Sequence, residues 1–297
     1  MTYSIVALDR KTGELGVGVQ THQPAVGAVV PWVKAGVGAV ATQSFANAAF
    51  GPQALALLEA GLDAPRTLAA ILTADVRPAL RQVAILDASG RAAVHTGDAC
   101  VPHADHRIGD NYSVQANMMR NDTVPAAMAR AFEGARGPLP VRLLTALDAA
   151  EAEGGDVRGG QSAAILVRGP GTSAESVWDL RVDNDPQPLA RLRELVNIRL
   201  ATQLLTAAGA EAARSSEPAR ALERALAGYE EAQRLAPSDE QTFWFAVWTL
   251  SEELGAIERA VALLDPLFAR APQWRELLHR LSVLRNPALL EHFPRGG

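Results

Sequence analysis

The sequence predicts an α+β protein: antiparallel hairpins and helix pairs alternate up to residue 187, and an all-helical domain follows from residue 188 to 297. Three observations carry this. Short stretches of small and β-branched residues recur in pairs joined by Gly- and Asp-containing turns, which is the signature of hairpins. Helical periodicity enters in two paired blocks instead of one helix after each strand, so layered antiparallel sheets fit better than a βαβ array. After Pro188 the strand pattern does not return.

The first hairpin runs from Thr2 to Asp9, turns at Arg10-Lys11-Thr12-Gly13, and returns from Glu14 to Thr21. Extended chain is expected from Val26 to Val33 and again from Ala35 to Gln43, where glycines point to close backbone packing. Helices should begin after Gly51-Pro52 and at Ala64, the second capped by Asp63. Arg81–Leu86 and Arg91–Thr96 flank an Asp87-Ala88-Ser89-Gly90 turn, and Tyr112–Met118 reads as another strand. Helices are expected over Val124–Ala135 and Leu139–Glu153, then strands over Ser162–Val167 and Ser176–Val182. The pattern changes at Asp183-Asn184-Asp185-Pro186, the expected domain boundary.

Beyond it, Pro188–Ala207, Pro218–Leu235, Ser238–Leu254 and Ile257–Ala269 are amphipathic, with Ser238 and Gln241 spaced as a capping box and Ala208–Ser216 read as an exposed connection. Pro237 and Pro272 end similar segments 35 positions apart, near the repeat of about 34 residues in tetratricopeptide arrays. Phe243-Trp244-Phe245 with Trp248 is read as the packing face of one such helix.

Composition narrows the class. With 48% apolar and 21% charged residues the chain is an ordinary globular protein. A formal charge of −5 with mixed signs offers no basic stripe, so no nucleic-acid partner is expected. No export signal or membrane-length apolar run is apparent, which reads as a cytoplasmic protein with no membrane partner. Cys100 is the only cysteine, so no intrachain disulfide can form.

The chemistry could begin at the first residues. Met1 precedes the small residue Thr2, and its removal would leave a threonine with a free α-amine at the start of a strand. A hydroxyl needs a base to become nucleophilic near neutral pH, and an α-amine of reference pKa about 7.7–8.0 is suited to that role. Other constellations are weaker. Gly36-Val37-Gly38 with Ala41 is a degenerate dinucleotide fingerprint that runs on into Thr42-Gln43-Ser44 without opening a helix. Cys100, His103 and His106, with Asp98 or Asp105, have metal-like spacing but read as a solvated loop, so no metal is expected. His22 and Ser44 could join an acid in a triad, though nothing in their spacing favours it. Neither a Gly-x-Ser-x-Gly elbow nor a P-loop occurs.

Several blocks in order give a family resemblance: Met1-Thr2-Tyr3-Ser4-Ile5-Val6-Ala7, Gly16-Val17-Gly18-Val19-Gln20-Thr21-His22, Val26-Gly27-Ala28-Val29-Val30-Pro31-Trp32, Ala35 through Ser44, Tyr112 through Asn117, and Arg158 through Ala164. On these, residues 1–187 resemble the DUF1028 family, and the whole chain resembles its longer members with a helical extension. The resemblance implies the four-layer αββα sandwich of N-terminal nucleophile (Ntn) hydrolases, followed by a TPR-like domain. It also implies Thr2 as nucleophile, Lys34 as a lysine beside it, backbone amides near Thr42 and Gln43 as oxyanion donors, and Ser162 as support for the amine. Asp156 falls off the expected spacing of the Asp-x-x-Ser segment that ends at that serine. Gln20, His22, Ser44 and Asn117 are expected to line a substrate pocket, since they are polar residues near otherwise apolar strands. The implied activity is hydrolysis of a small amide or peptide without a cofactor, and the alternative is a binding or scaffolding protein working through its helices. Small Gly- and Ala-rich strands are compatible with a homodimer.

Overall fold

Residues 2–171, 177–237, 239–281 and 287–294 are described by the structure, a computed structural model. Met1, Ser176 and Ser238, which carry the expected processing step, strand start and capping box, lie outside the described residues. Ten α-helices and ten strands are present among the described residues.

The strands form two antiparallel sheets. The first has the order β10-β9-β2-β1-β8-β7 and is built from β1 (Thr2–Asp9), β2 (Glu14–Thr21), β7 (Asp105–Gly109), β8 (Tyr112–Asn117), β9 (Ser162–Arg168) and β10 (Val177–Val182). The second has the order β3-β4-β5-β6, from β3 (Pro31–Lys34), β4 (Gly38–Ser44), β5 (Arg81–Asp87) and β6 (Ala92–Thr96). Their inner faces meet. Val6, Leu8, Val17 and Val19 pack on Ala39, Ala41, Ala84 and Leu86, the small residues of the second sheet letting the larger ones of the first seat against it.

A helix pair covers each outer face. α1 (Phe50–Glu59) and α2 (Ala64–Thr73) lie on Val40, Val83 and Ile85 of the second sheet. α3 (Val124–Gly134) and α4 (Leu139–Ala152) lie on the first, where Gly16 and Gly18 of β2 leave room for Leu139, Leu143 and Leu147. The layers therefore run helix pair, sheet, sheet, helix pair. Because the central strands are buried on both faces, they read as continuous apolar runs with little alternation. Gly36-Val37-Gly38 is a hairpin turn, with Gly36 at φ +69°. A Cβ on Gly38 would stand 2.7 Å from the Leu86 carbonyl oxygen.

Four expectations need correcting. Val26–Ala28 is a 3-10 turn entered through Ala25 at φ +56°, and only Pro31–Lys34 pairs as a strand, because Gly27 is seated against Ala164 and Arg181. β7 was not anticipated: it is a largely exposed edge strand with no apolar face to signal it. Ala208–Arg214 is not an exposed connection but continues α5 (Pro188–Arg214), as its run of alanines favours. Ser238–Leu254 is not one regular helix: α7 (Asp239–Trp244) passes into π-helical turns over Phe245–Glu253.

The chain divides into two compact units, one ending at Val196 and one starting at Asn197, so the division falls inside α5 and not at its start. The second unit comprises the end of α5, α6 (Pro218–Leu235), α7 with its π-helical continuation, α8 (Ile257–Arg270), α9 (Gln273–Arg280) and α10 (Ala288–His292). Its core gathers Phe243, Phe245, Leu250, Leu264 and Phe268. Among the described residues no helix is long and apolar enough to cross a membrane.

Candidate functional site

Strand register assembles the candidate site. Thr2 opens β1 opposite Thr21 of β2 on one side and Asn117 of β8 on the other, and Thr21 in turn faces Ser162 of β9. Side chains on paired residues share a face, so Ser162, Thr21, Thr2 and Asn117 form one polar row across four strands. Val6 and Leu8, further along β1 at the same parity, belong to the layer between the sheets, so the row faces inward. One step further in lie Ser4 and Gln115, and from the other sheet Gln43, Gln82 and Thr96 are paired in register. The inter-sheet layer is thus apolar at one end and built of amides and hydroxyls at the other.

These groups bind one another. The Thr2 hydroxyl donates to Thr21 Oγ1 at 3.1 Å. Gln43 Nε2 donates to the Thr2 carbonyl at 3.2 Å and to Gln82 Oε1 at 2.7 Å, while Gln43 Oε1 accepts from Ser4 Oγ at 2.6 Å. Asn117 Nδ2 donates to Gln82 Oε1 at 2.8 Å and, at 3.4 Å, to the Thr2 carbonyl. Gln82 Nε2 completes the set on Thr96 Oγ1 and the Ala116 carbonyl, both at 2.9 Å. Thr2 is 4% exposed, and Ser4, Gln82, Gln115 and Asn117 are fully buried. A buried amide left unpaired is costly, so the network is closed almost everywhere. Asn117 Oδ1 is an exception and has no protein partner.

Backbone strain collects at the same end. Ser44, directly after Gln43, has φ +68°, and Met118, directly after Asn117, has φ +55°. Left-handed conformations cost an L-residue about 1–2 kcal/mol. At Ser44 the cost is offset by Arg81, which donates to the Phe45 carbonyl and is itself clamped by Asp75, with Nε on Oδ2 at 2.5 Å. That hydrogen bond from Arg81 holds the Asp75 carboxyl below the usual carboxylate range.

Seven of the expected site residues divide into three groups; Ser44 follows Gln43 at the strained end of β4, and His22 lies just past the end of β2. Thr2, the Gln43 side chain and Asn117 are brought together as described. Ser162 lies in the same row two strands away, and its hydroxyl ties down the β2–β3 link, accepting from the Val26 amide at 3.1 Å and donating to the Gln23 carbonyl at 2.5 Å. Lys34, Gln20 and Thr42 stand elsewhere. Lys34 pairs with Gly38 at the opposite end of β4 from Gln43, half exposed, with Nζ 2.5 Å from Glu59 Oε1. Lys11, the only other lysine, sits in the turn at the far end of β1. Thr42 has the parity of Val40 and faces the helices, and its amide already donates to the Val30 carbonyl at 3.2 Å. Gln20 is opposite Tyr3, on the α4 side of the sheet. It is fully buried with neither amide atom bonded, and Gly160 and Pro188 crowd it. Tyr3, its neighbour on that face, donates to Glu151 Oε2 at 2.7 Å, and burial together with Glu151 pushes its phenol well above the usual range.

His22 and Asp156 form a second cluster just past the end of β2. The Asp156 carboxylate is fully shielded and accepts from the His22 amide at 3.4 Å, from the Arg158 amide at 2.9 Å and from Arg158 Nη2 at 2.8 Å. His22 Nδ1 lies 3.2 Å from the Gly159 carbonyl oxygen. Cys100 is buried against the Arg81 carbonyl, His103 contacts the Met119 and Arg120 carbonyls, and His106, on β7, contacts Thr96. No group of three or more His, Cys, Asp or Glu side chains among the described residues is placed to hold a metal ion.

Ser4, Thr21, Gln82, Thr96 and Gln115 escaped the sequence reading as site residues. For Ser4 and Gln115 a signal was present: Thr2 and Ser4, and likewise Ser113, Gln115 and Asn117, are polar at every second position of strands that are otherwise apolar.

Two facing antiparallel sheets with a hydroxyl–amide cluster sealed between them at one end define a layered α+β protein with a polar inner seam. The chain belongs to DUF1028, a family of unknown function, whose profile matches residues 2–192. Among solved structures, it is similar to the crystal structure of protein SPO2555 from Silicibacter pomeroyi, of the same family. The two share 30% identity with a TM-score of 0.61, over 66% of this chain and 87% of that one. No curated protein matches. The family match ends within α5, before the helices of the second unit.

Proposed function

We propose that the chain is an amide hydrolase of the N-terminal nucleophile type, its first unit being the αββα sandwich of that superfamily. Removal of Met1 would free the Thr2 α-amine, which takes the proton of the Thr2 hydroxyl as Oγ1 attacks a carbonyl carbon. The C–N bond then breaks as the α-amine passes that proton to the leaving nitrogen, and water hydrolyses the resulting Thr2 ester, one of its protons returning to Oγ1. The observation that carries this reading is the place of Thr2 at the head of a central strand, in the middle of the inward polar row, with its carbonyl held by Gln43 and Asn117. A nucleophile fixed through its own backbone approaches its target with little left to order.

The roles differ from those the resemblance implied. Lys34 has none, since it ends β3 beside Gly38, at the far end of β4 from Gln43, so the amine works without a neighbouring lysine. Thr42 offers no free amide for an oxyanion. Ser162 positions the β2–β3 link and does not support the amine directly. Thr21, which accepts from the nucleophile's hydroxyl, orients it.

The test is intact mass and N-terminal sequencing of untagged protein, followed by a panel of chromogenic acyl and aminoacyl anilides. Met1 should be absent, Thr2→Ala should lower turnover at least about 1,000-fold, and Thr2→Ser should retain part of it. Retained Met1 on active protein, or full activity in Thr2→Ala, overturns the proposal. One observation favours a second reading, a binding protein without turnover: the Thr2 hydroxyl already donates within the network and Thr2 is buried. That reading expects Thr2→Ala to change no measurable activity, with the TPR-like helices of the second unit as the working surface.

A further inference from the structure

The second unit carries a groove of about 690 Å³ between the C-terminal part of α5 and the segment that runs from α7 into the π-helical turns. Its apolar lining includes Leu205, Phe245, Trp244 and Trp248, and its two ionisable groups are the carboxylates of Glu240 and Glu253. Among the described residues no lysine, arginine or histidine lines it. We propose that this groove binds a small organic cation of the alkylammonium class, with the apolar body against the tryptophans and the charged head beside the carboxylates.

Four features support this occupant. The volume lies in the small-molecule range of about 300–1,000 Å³. Trp244 is 40% exposed although it belongs to an aromatic cluster whose neighbours Phe243 and Phe245 are buried. An exposed indole face beside a carboxylate is the environment that attracts an alkylated ammonium. Some exposed acids of this unit are neutralised, as Glu211, Glu217, Glu231 and Glu276 each pair with an arginine, and among the described residues others, such as Glu223 and Asp265, are not. Glu240 and Glu253 have no ion-pair partner among the described residues, so the charge they bring to the groove is uncompensated there. Finally, the groove wall is the nine-residue π-helical stretch Phe245–Glu253. Such windings are rare and occur frequently at functional sites. Close to that wall α5 comes so near that a Cβ on Gly209 would stand 2.9 Å from Thr249 Oγ1. An anion would meet two like charges, and a neutral molecule would leave both carboxylates unaccompanied.

The experiment is calorimetric titration of the full chain with three probes sharing one hexyl body: hexyltrimethylammonium chloride, hexan-1-ol and sodium hexanoate. The cation should bind saturably and quench tryptophan fluorescence, the alcohol should bind at least about 10-fold more weakly, and hexanoate should not bind. Trp244→Ala should weaken the cation at least about 10-fold by calorimetry. The double variant Glu240→Gln, Glu253→Gln, which alters only exposed groups, should weaken it by a similar factor and remove its dependence on ionic strength. No saturable heat from the cation overturns the proposal, as does equal affinity for the alcohol, or unchanged cation binding in the double variant with native circular dichroism.

Discussion

Gln43 is the side chain on which the inner seam depends most. It joins Ser4, Gln82 and the Thr2 carbonyl at once, so replacing it leaves several buried groups unmatched. Gln43→Leu should lower stability by about 3 kcal/mol, read from the midpoint of urea unfolding; a loss under about 1 kcal/mol would mean that water enters and replaces the amide. Asp75 sets a pH dependence at the same end. Its carboxyl titrates lower in the folded chain than in the unfolded one, because Arg81 donates to it. The stability it contributes is therefore complete above the ordinary carboxylate pKa of about 4 and is lost as pH falls through the lower folded value. Asp75→Asn should be less stable than wild type at pH 7, and the gap should close as pH is lowered through that range. A gap that is constant with pH would show that the ion pair is not the cause. The sequence pointed to Thr2 through the Met1-Thr2 start, to Gln43 through the family resemblance, and to Asn117 as a polar residue in an apolar strand. It could not distinguish Gln20 from them, since which face a residue occupies depends on parity counted against the partner strand, and both faces of β2 are buried.

At the level of elements, the hairpins, the helix pairs and the switch to helices were legible because turns, caps and periodicity are local. Asp63 accepts from the Arg66 amide at 3.0 Å as the cap its position suggested. Asp63→Ala should cost about 1 kcal/mol by the same unfolding measurement. What was not legible depended on contacts distant in sequence. β7 forms only by adding to β8 at the edge, and the turn at Val26 exists because Gly27 meets β9 and β10. Gly38 shows the same dependence. Its missing side chain lets β4 approach the Leu86 carbonyl, a backbone atom that cannot move aside as a side chain would. Gly38→Ala should therefore destabilise by about 1–3 kcal/mol, and unchanged stability would mean that the β4–β5 pairing is looser than described.

For the molecule as a whole, the boundary between units was expected where the strand pattern stops, and it lies further on because Leu189, Leu192 and Val196 of α5 are buried with the first unit. A chain ending at residue 187 should melt at a lower temperature than one ending at Arg214, and equal melting temperatures would show that those three residues add nothing to it. The layer between the sheets has one more consequence. Its apolar half tells the two sheets only to stay together: valines on alanines would pack almost as well if one sheet slid along the other. The amide half accepts a single alignment, since a slip of one residue pair would separate Gln43 from Ser4 and Thr2, and Gln82 from Asn117. That end of the sandwich acts as a key for the whole assembly, and the residue it holds to a single position is Thr2.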